Sequence, residues 1–321
     1  NTGYTHQFEQ VFLMENGLPV YAAGSGYAGD DYITDTKIDR DWRWRLFMKA
    51  PKEAKAVDNI ATVEYFPEAP RLYVSDAKNA TSTGYIQGKG YSLDYNDQLL
   101  GKDQTAFVVY RASEAYLNYI EASYLKNGNI DATADKYWKA LRARAGVDTD
   151  YQKTINATDM SKEALNGWDA YSHGALVDAT LYNIRRERRC EYISEGLRWM
   201  DLCRWRAMDQ MTVTPYVPGG MHLWNTPMER WYDDSKGNTT LVYGTDKANV
   251  SSPNDSEYLL PYRKTANQLA YEGFVWKMAH YLDPIRIDQF QITSTDGKNI
   301  ETSPIYQNPY WPTTADMAAE K

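Results

Sequence analysis

From Val109 onward the apolar side chains fall at Val109, Ala112, Tyr116, Ile120 and Tyr124, three or four residues apart. This is the repeat of one helix face, and with Gly128 as its stop it predicts a helix from Gln104 to Asn127. A second helix is predicted from about Asp131, through Ala134, Tyr137, Trp138 and Leu141, to a stop at Gly146. The two make a helical hairpin of about the length of a tetratricopeptide repeat, although the full repeat consensus is not met. Residues 178–210 are expected to supply the next pair. There Cys190, Ile193 and Leu197, then Trp199, Leu202 and Cys203, recur at helical intervals, and Gly196 permits a kink or a break between two helices.

Outside this region the periodicity fades. Residues 1–103 alternate Gly, Asp, Tyr and Pro with no sustained period, which predicts ordered loops, short strands and one short helix around Arg43–Met48. Residues 211–321 return to loop chemistry, with breakers at Pro215, Pro218, Pro227, Gly237 and Pro253. A helix around Thr265–Ala279 and an extended terminal stretch complete the expectation. The segments 1–103, 104–210 and 211–321 are read as parts of one mainly α domain of helix pairs, long ordered loops and a few short strands.

Charge changes the picture most between Ile184 and Arg206, where seven arginines and four acids stand among aliphatic and aromatic residues. Three pairs are spaced for contact on one helix face: Arg188 with Glu191, Glu195 with Arg198, and Asp201 with Arg204. Acids interleave the arginines and the whole chain carries −8, so the segment predicts partly buried ion pairs and not a stripe for nucleic acid.

The same segment resembles the signature of the SusD/RagB family of Bacteroidetes outer-membrane nutrient-binding lipoproteins, through Arg186-Glu187-Arg188-Arg189, Glu195-Gly196-Leu197-Arg198-Trp199-Met200-Asp201-Leu202 and Arg204-Trp205. Other segments are similar to that family in matching order. They are Asn16-Gly17-Leu18-Pro19, Arg40-Asp41-Trp42-Arg43, Ser82-Thr83-Gly84-Tyr85, the helix Arg111 to Ala122, and Tyr306-Gln307-Asn308-Pro309-Tyr310-Trp311. Trp42 stands where the family usually has proline, and Tyr310 where glycine is common. Members are usually longer, with a lipid-bearing cysteine and a further helical region before the Asn-Gly-Leu-Pro segment. The resemblance therefore implies that this chain is the carboxyl-terminal part of a larger protein. It also implies tetratricopeptide-like helix pairs, a location on the extracellular face of the outer membrane, and capture of an oligosaccharide, sometimes a peptide, for a SusC-like TonB-dependent transporter.

Composition adds a preference for amphipathic rings: 27 tyrosines and 10 tryptophans against 7 phenylalanines. Such rings close a core or lie exposed as flat platforms for sugars. The platform candidates are loop aromatics with polar neighbours: Tyr27, Tyr32, Trp42 and Trp44 beside Asp30, Asp31 and Arg40, and Trp224, Trp231 and Tyr232 beside Asn225 and Asp233. The first group, with four rings in under twenty residues, is preferred, and Trp42 and Trp44 are alternatively core residues of the short helix. If Trp42, Trp44, Trp224 and Trp231 were all buried, a scaffold with a protein partner would be favoured instead.

Catalytic signatures such as His-Glu-x-x-His, Gly-x-Ser-x-Gly or a phosphate loop do not occur in the sequence. A glycosidase needs only two well-placed carboxylates, which leaves a helical glycoside hydrolase as the enzymatic alternative to a non-catalytic binding protein. No organic cofactor is expected. Asp30, Asp31 and Asp35 are candidates for a structural calcium site, although no EF-hand spacing exists. Cys190 and Cys203 are expected as two free thiols, with a disulfide as the alternative.

Overall fold

The computed structural model describes residues 3–72, 80–106, 108–314 and 316–321. Its α-helices, in chain order, are α1 (His6–Glu9), α2 (Trp42–Phe47), α3 (Ala112–Asn127), α4 (Ala132–Arg144), α5 (Tyr151–Ala157), α6 (Met160–Asn166), α7 (Ala179–Glu191), α8 (Arg198–Arg204) and α9 (Ile287–Thr293). The strands β1 (Met48–Lys49), β2 (Ala54–Val57), β3 (Val63–Tyr65), β4 (Ile86–Gln87), β5 (Tyr171–Ser172) and β6 (Ala175–Leu176) pair as the antiparallel ribbons β1–β4, β2–β3 and β5–β6. The architecture is therefore mainly helical. Among the described residues no helix is long and apolar enough to cross a membrane.

The hairpin of α3 and α4 forms where its punctuation predicts. Gly128 ends α3 at φ 70°, and the Asp131 carboxylate caps α4 by accepting from the backbone N–H groups of Thr133 and Ala134 at 2.9 and 2.8 Å. The interior of this region is built from Leu117, Ile120, Trp138 and Leu141 of the hairpin with Ile184 of α7 and Tyr192 beyond it. Tyr116 and Tyr137 stack across the hairpin at 4.2 Å.

Helix α3 starts at Ala112 and not at Gln104. Arg111 is held extended at φ −132°, with its guanidinium on Glu191 and Glu195, and Val108, Val109 and Tyr110 before it are exposed. The pairs on α7 and α8 differ more. Only Asp201–Arg204 forms as spaced, at 2.9 Å. Arg188 reaches Asp201 at 2.7 Å, Glu191 takes Arg43, Arg111 and Arg144, Glu195 takes Lys89 and Arg111, and Arg198 reaches Asp169 at 3.0 Å. Helix α7 is enclosed, with ten of its thirteen residues buried, so most of its charged side chains find their ionic partners on neighbouring elements. Gly196, at φ 80°, and Ser194, at φ 58°, turn the chain between α7 and α8.

Two expectations in the last third fail. Residues 265–272 form turns and bends, residues 273–277 run as irregular chain with a bridge at Phe274, and only a 3-10 turn at Met278–Tyr281 is helical near the expected Thr265–Ala279 helix. Tyr216 and Phe274 exchange backbone hydrogen bonds of 2.8 Å, and Gly273 sits at φ 101°, so the backbone there is committed to pairing. The terminal stretch, expected extended, contains α9. Helices α5 and α6, of seven residues each, carry too little periodicity to be read from sequence and are fixed by Asp150 and Asp159 caps. Cys190 and Cys203 are free thiols.

Candidate ligand-binding site

Helix α2 divides its side chains between interior and surface. The Asp41 carboxylate caps it, accepting from the backbone N–H of Arg43 at 2.9 Å, and its other contacts to the Arg43 guanidinium hold that arginine inward toward Glu187. Trp44 is fully buried and donates its indole N–H to Thr36 Oγ1 at 3.2 Å. Trp42, two residues earlier, is 47% exposed. Its ring lies directly on Gly146, where a Cβ would stand 2.3 Å from the indole. Its Nε1 donates to Glu15 Oε1 at 3.0 Å, and its backbone N–H to the Ala145 carbonyl at 2.9 Å. The ring is thus pinned in place while its remaining surface faces solvent.

Two depressions meet at this ring. One, of about 760 Å³, is bordered by Glu15, Thr34, Lys37, Asp39, Arg45 and Glu53 beside Trp42 and Leu46. The other, of about 460 Å³, adds Phe47, Lys89, Val108, Arg111, Arg144 and Glu195. In the first, Arg45 and Glu15 pair at 2.5 Å, and Lys37 donates to the Met48 carbonyl and pairs with Glu53. Burial pushes the Lys37 amine below its usual range, against the opposing pull of Glu53. A flat aromatic face ringed by donors and acceptors of both signs suits a polyhydroxylated ligand.

The preferred loop group is dispersed by the fold. Arg40 is fully buried and spends its guanidinium on Glu9 and on the carbonyls of Glu9, Phe12 and Thr36, at 2.7, 3.0 and 3.2 Å for the carbonyls. Tyr27, half-buried, donates to Glu9 Oε1 at 3.2 Å and lies under the Arg40 cation. Arg40 and Trp44 are accordingly corrected from ligand candidates to core residues, because neither has surface to offer. Trp224 is corrected likewise: it is 3% exposed and packs edge-on against Tyr243. Tyr232 is half-buried and donates to the Pro70 carbonyl at 2.8 Å.

Tyr32 and Trp231, one from each loop group, come together with ring centroids 6.0 Å apart. Asp30 and Asp31 converge with His222, while Asp35 lies outside that group of potential metal ligands. Glu15 and Gly146, which position Trp42, were not among the sequence candidates. The Asn16-Gly17-Leu18-Pro19 landmark beside Glu15 and the helix-ending glycine were the available signals.

The geometry defines a helical-pair scaffold that carries a pinned surface aromatic at a shallow, charge-lined groove. Residues 1–311 match the SusD family model, and the chain belongs to the SusD family. Its structure is similar to that of a SusD-like protein from Bacteroides fragilis, with a TM-score of 0.54 and 18% identity over 96% of this chain. That alignment covers 47% of the other protein, so the chain spans about half its length. Comparison with curated proteins finds no match.

Proposed function

We propose that the chain is a non-catalytic glycan-binding component of the outer-membrane surface, which captures an oligosaccharide at the Trp42 groove and passes it to a SusC-like TonB-dependent transporter. The observation that carries this reading is Trp42 itself, a large ring left 47% exposed yet held by Gly146, Glu15 and Ala145. Exposing so much indole forgoes burial, and fixing it limits the entropy lost when a sugar ring stacks on it. Membership of the SusD family supports nutrient capture as the general role. Delivery to a transporter, and attachment through a lipidated terminus, follow from that family resemblance.

Binding of the chain to panels of host and plant polysaccharides is the direct test, with reducing ends assayed in parallel. The expected result is saturable binding of at least one glycan without new reducing ends, weakened by Trp42→Ala. Release of reducing ends moves the protein to the glycoside hydrolases, and peptide binding without glycan binding moves it to a peptide-capturing role. Loss of binding in Trp231→Ala but not in Trp42→Ala relocates the platform to the Tyr32–Trp231 pair.

A further inference from the structure

Asp30, Asp31 and His222 stand apart from the Trp42 groove and are brought together from chain positions almost two hundred residues distant. His222 Nδ1 lies 3.1 Å from Asp30 Oδ1 and 3.4 Å from Asp31 Oδ1. Potential ligand atoms of the three residues all fall within 4.8 Å of one another. Around a four-coordinate ion with bonds of about 2.0–2.1 Å, neighbouring ligand atoms are about 3.3 Å apart, which is close to the two histidine–carboxylate distances.

The surroundings hold Asp30 and His222 in place. Asp30 Oδ2 accepts from the Tyr258 hydroxyl at 2.8 Å, leaving Oδ1 toward His222, and the His6 ring nitrogen approaches the same carboxylate at 3.8 Å. His222 and Tyr258 pair through their backbones and stack at 4.8 Å between ring centroids. On the far side of the imidazole, Nε2 is buried and makes no hydrogen bond among the described residues, and Glu257 Oε2 stands 3.7 Å away.

That arrangement constrains the imidazole. If Nδ1 carried the only proton and donated to Asp30, the Nε2 lone pair would face the Glu257 carboxylate, acceptor against acceptor. With the proton on Nε2 instead, that side faces Glu257 at 3.7 Å, and the Nδ1 lone pair faces two carboxylates at 3.1 and 3.4 Å, which is favourable only with a cation between them. A carboxylate behind a metal-bound histidine is the usual means of orienting it. We propose that Asp30, Asp31 and His222 bind a divalent transition-metal ion, with Glu257 and Tyr258 orienting the ligands. One nitrogen and two carboxylates suit zinc, whereas calcium takes six to eight oxygens, so the site differs from a calcium loop of Asp30, Asp31 and Asp35. Three protein ligands leave at least one coordination position open on the Asp31 side, where the side chain is 69% exposed.

The competing arrangement is an imidazolium paired with the same carboxylates, which needs no metal. Calorimetry of the untagged chain with zinc and with calcium separates them. Near-stoichiometric zinc binding, weakened at least ~10-fold by Asp31→Asn and by His222→Gln but unchanged by Asp35→Asn, is the expected result. The exposed position of Asp31 makes its variant safe for folding, and zinc should raise the Tm of the wild type but not of Asp31→Asn. Absence of saturable zinc binding, zinc affinity equal in all three variants, or calcium binding indifferent to His222→Gln would each overturn the assignment. Glycan binding at Trp42 is measured independently and stands or falls separately.

Discussion

Two tryptophans two residues apart on α2 have opposite roles, and substitution separates them. Trp44→Ala removes a fully buried indole from the cluster that includes Phe12, Tyr85 and Met221, and should cost about 3–5 kcal/mol in chemical denaturation. Trp42→Ala should lower the denaturation midpoint far less than Trp44→Ala while lowering glycan affinity roughly 10-fold, the loss of about 1.4 kcal/mol of stacking. Gly146 links the two properties. At φ 65° and with Trp42 against its Cα, Gly146→Ala should destabilise by about 1–3 kcal/mol and alter the near-ultraviolet signal of Trp42 as the ring is displaced. The sequence leaves both tryptophans open as loop platforms or as core residues of a short helix, and only the surrounding core decides which of them faces inward.

Among the elements, punctuation was more legible than pairing. Asp131 and Gly128 act locally through backbone groups two to four residues away, so their capping effect follows from the sequence itself. Asp131→Ala should cost about 1 kcal/mol, measured as a reduced denaturation midpoint with α3 and α4 otherwise intact. The ion pairs of α7 are a different case. Spacing identifies residues able to meet on one helix, yet Arg188 turns to Asp201 and Glu191 to three arginines from α2, α4 and the start of α3. A buried helix offers each charge a partner from another element, and such partners win when they also fill the space. The Thr265–Ala279 helix failed for a related reason, since Phe274 is taken up by backbone pairing with Tyr216.

Across the whole molecule, the charges of α7 tie distant segments together, and acid should loosen them. Asp169 is fully buried, which would by itself raise its carboxyl, but Arg189 and Arg198 overcome this and hold it at about 2, below the ordinary 3.8. A depressed carboxyl contributes its full stability above the ordinary value and loses it as pH falls from about 4 toward 2. The contribution is about 2 kcal/mol. Unfolding free energies measured between pH 5 and pH 2 should fall more steeply for the wild type than for Asp169→Asn. At pH 7, Asp169→Ala should cost about 3–5 kcal/mol, because two arginines lose their shared partner.

Helical periodicity, caps and breakers, together with the family signature, were sufficient to identify the mainly α scaffold, because each acts over a few residues. The grouping of side chains into sites was decided by tertiary packing. Tyr27, Arg40 and Trp44 were drawn inward by Glu9, Thr36 and the surrounding core, while Tyr32 met Trp231 and Asp30 met His222 across long stretches of chain. Exposure and convergence depend on what the rest of the chain covers or brings close, and no local pattern of residues specifies that.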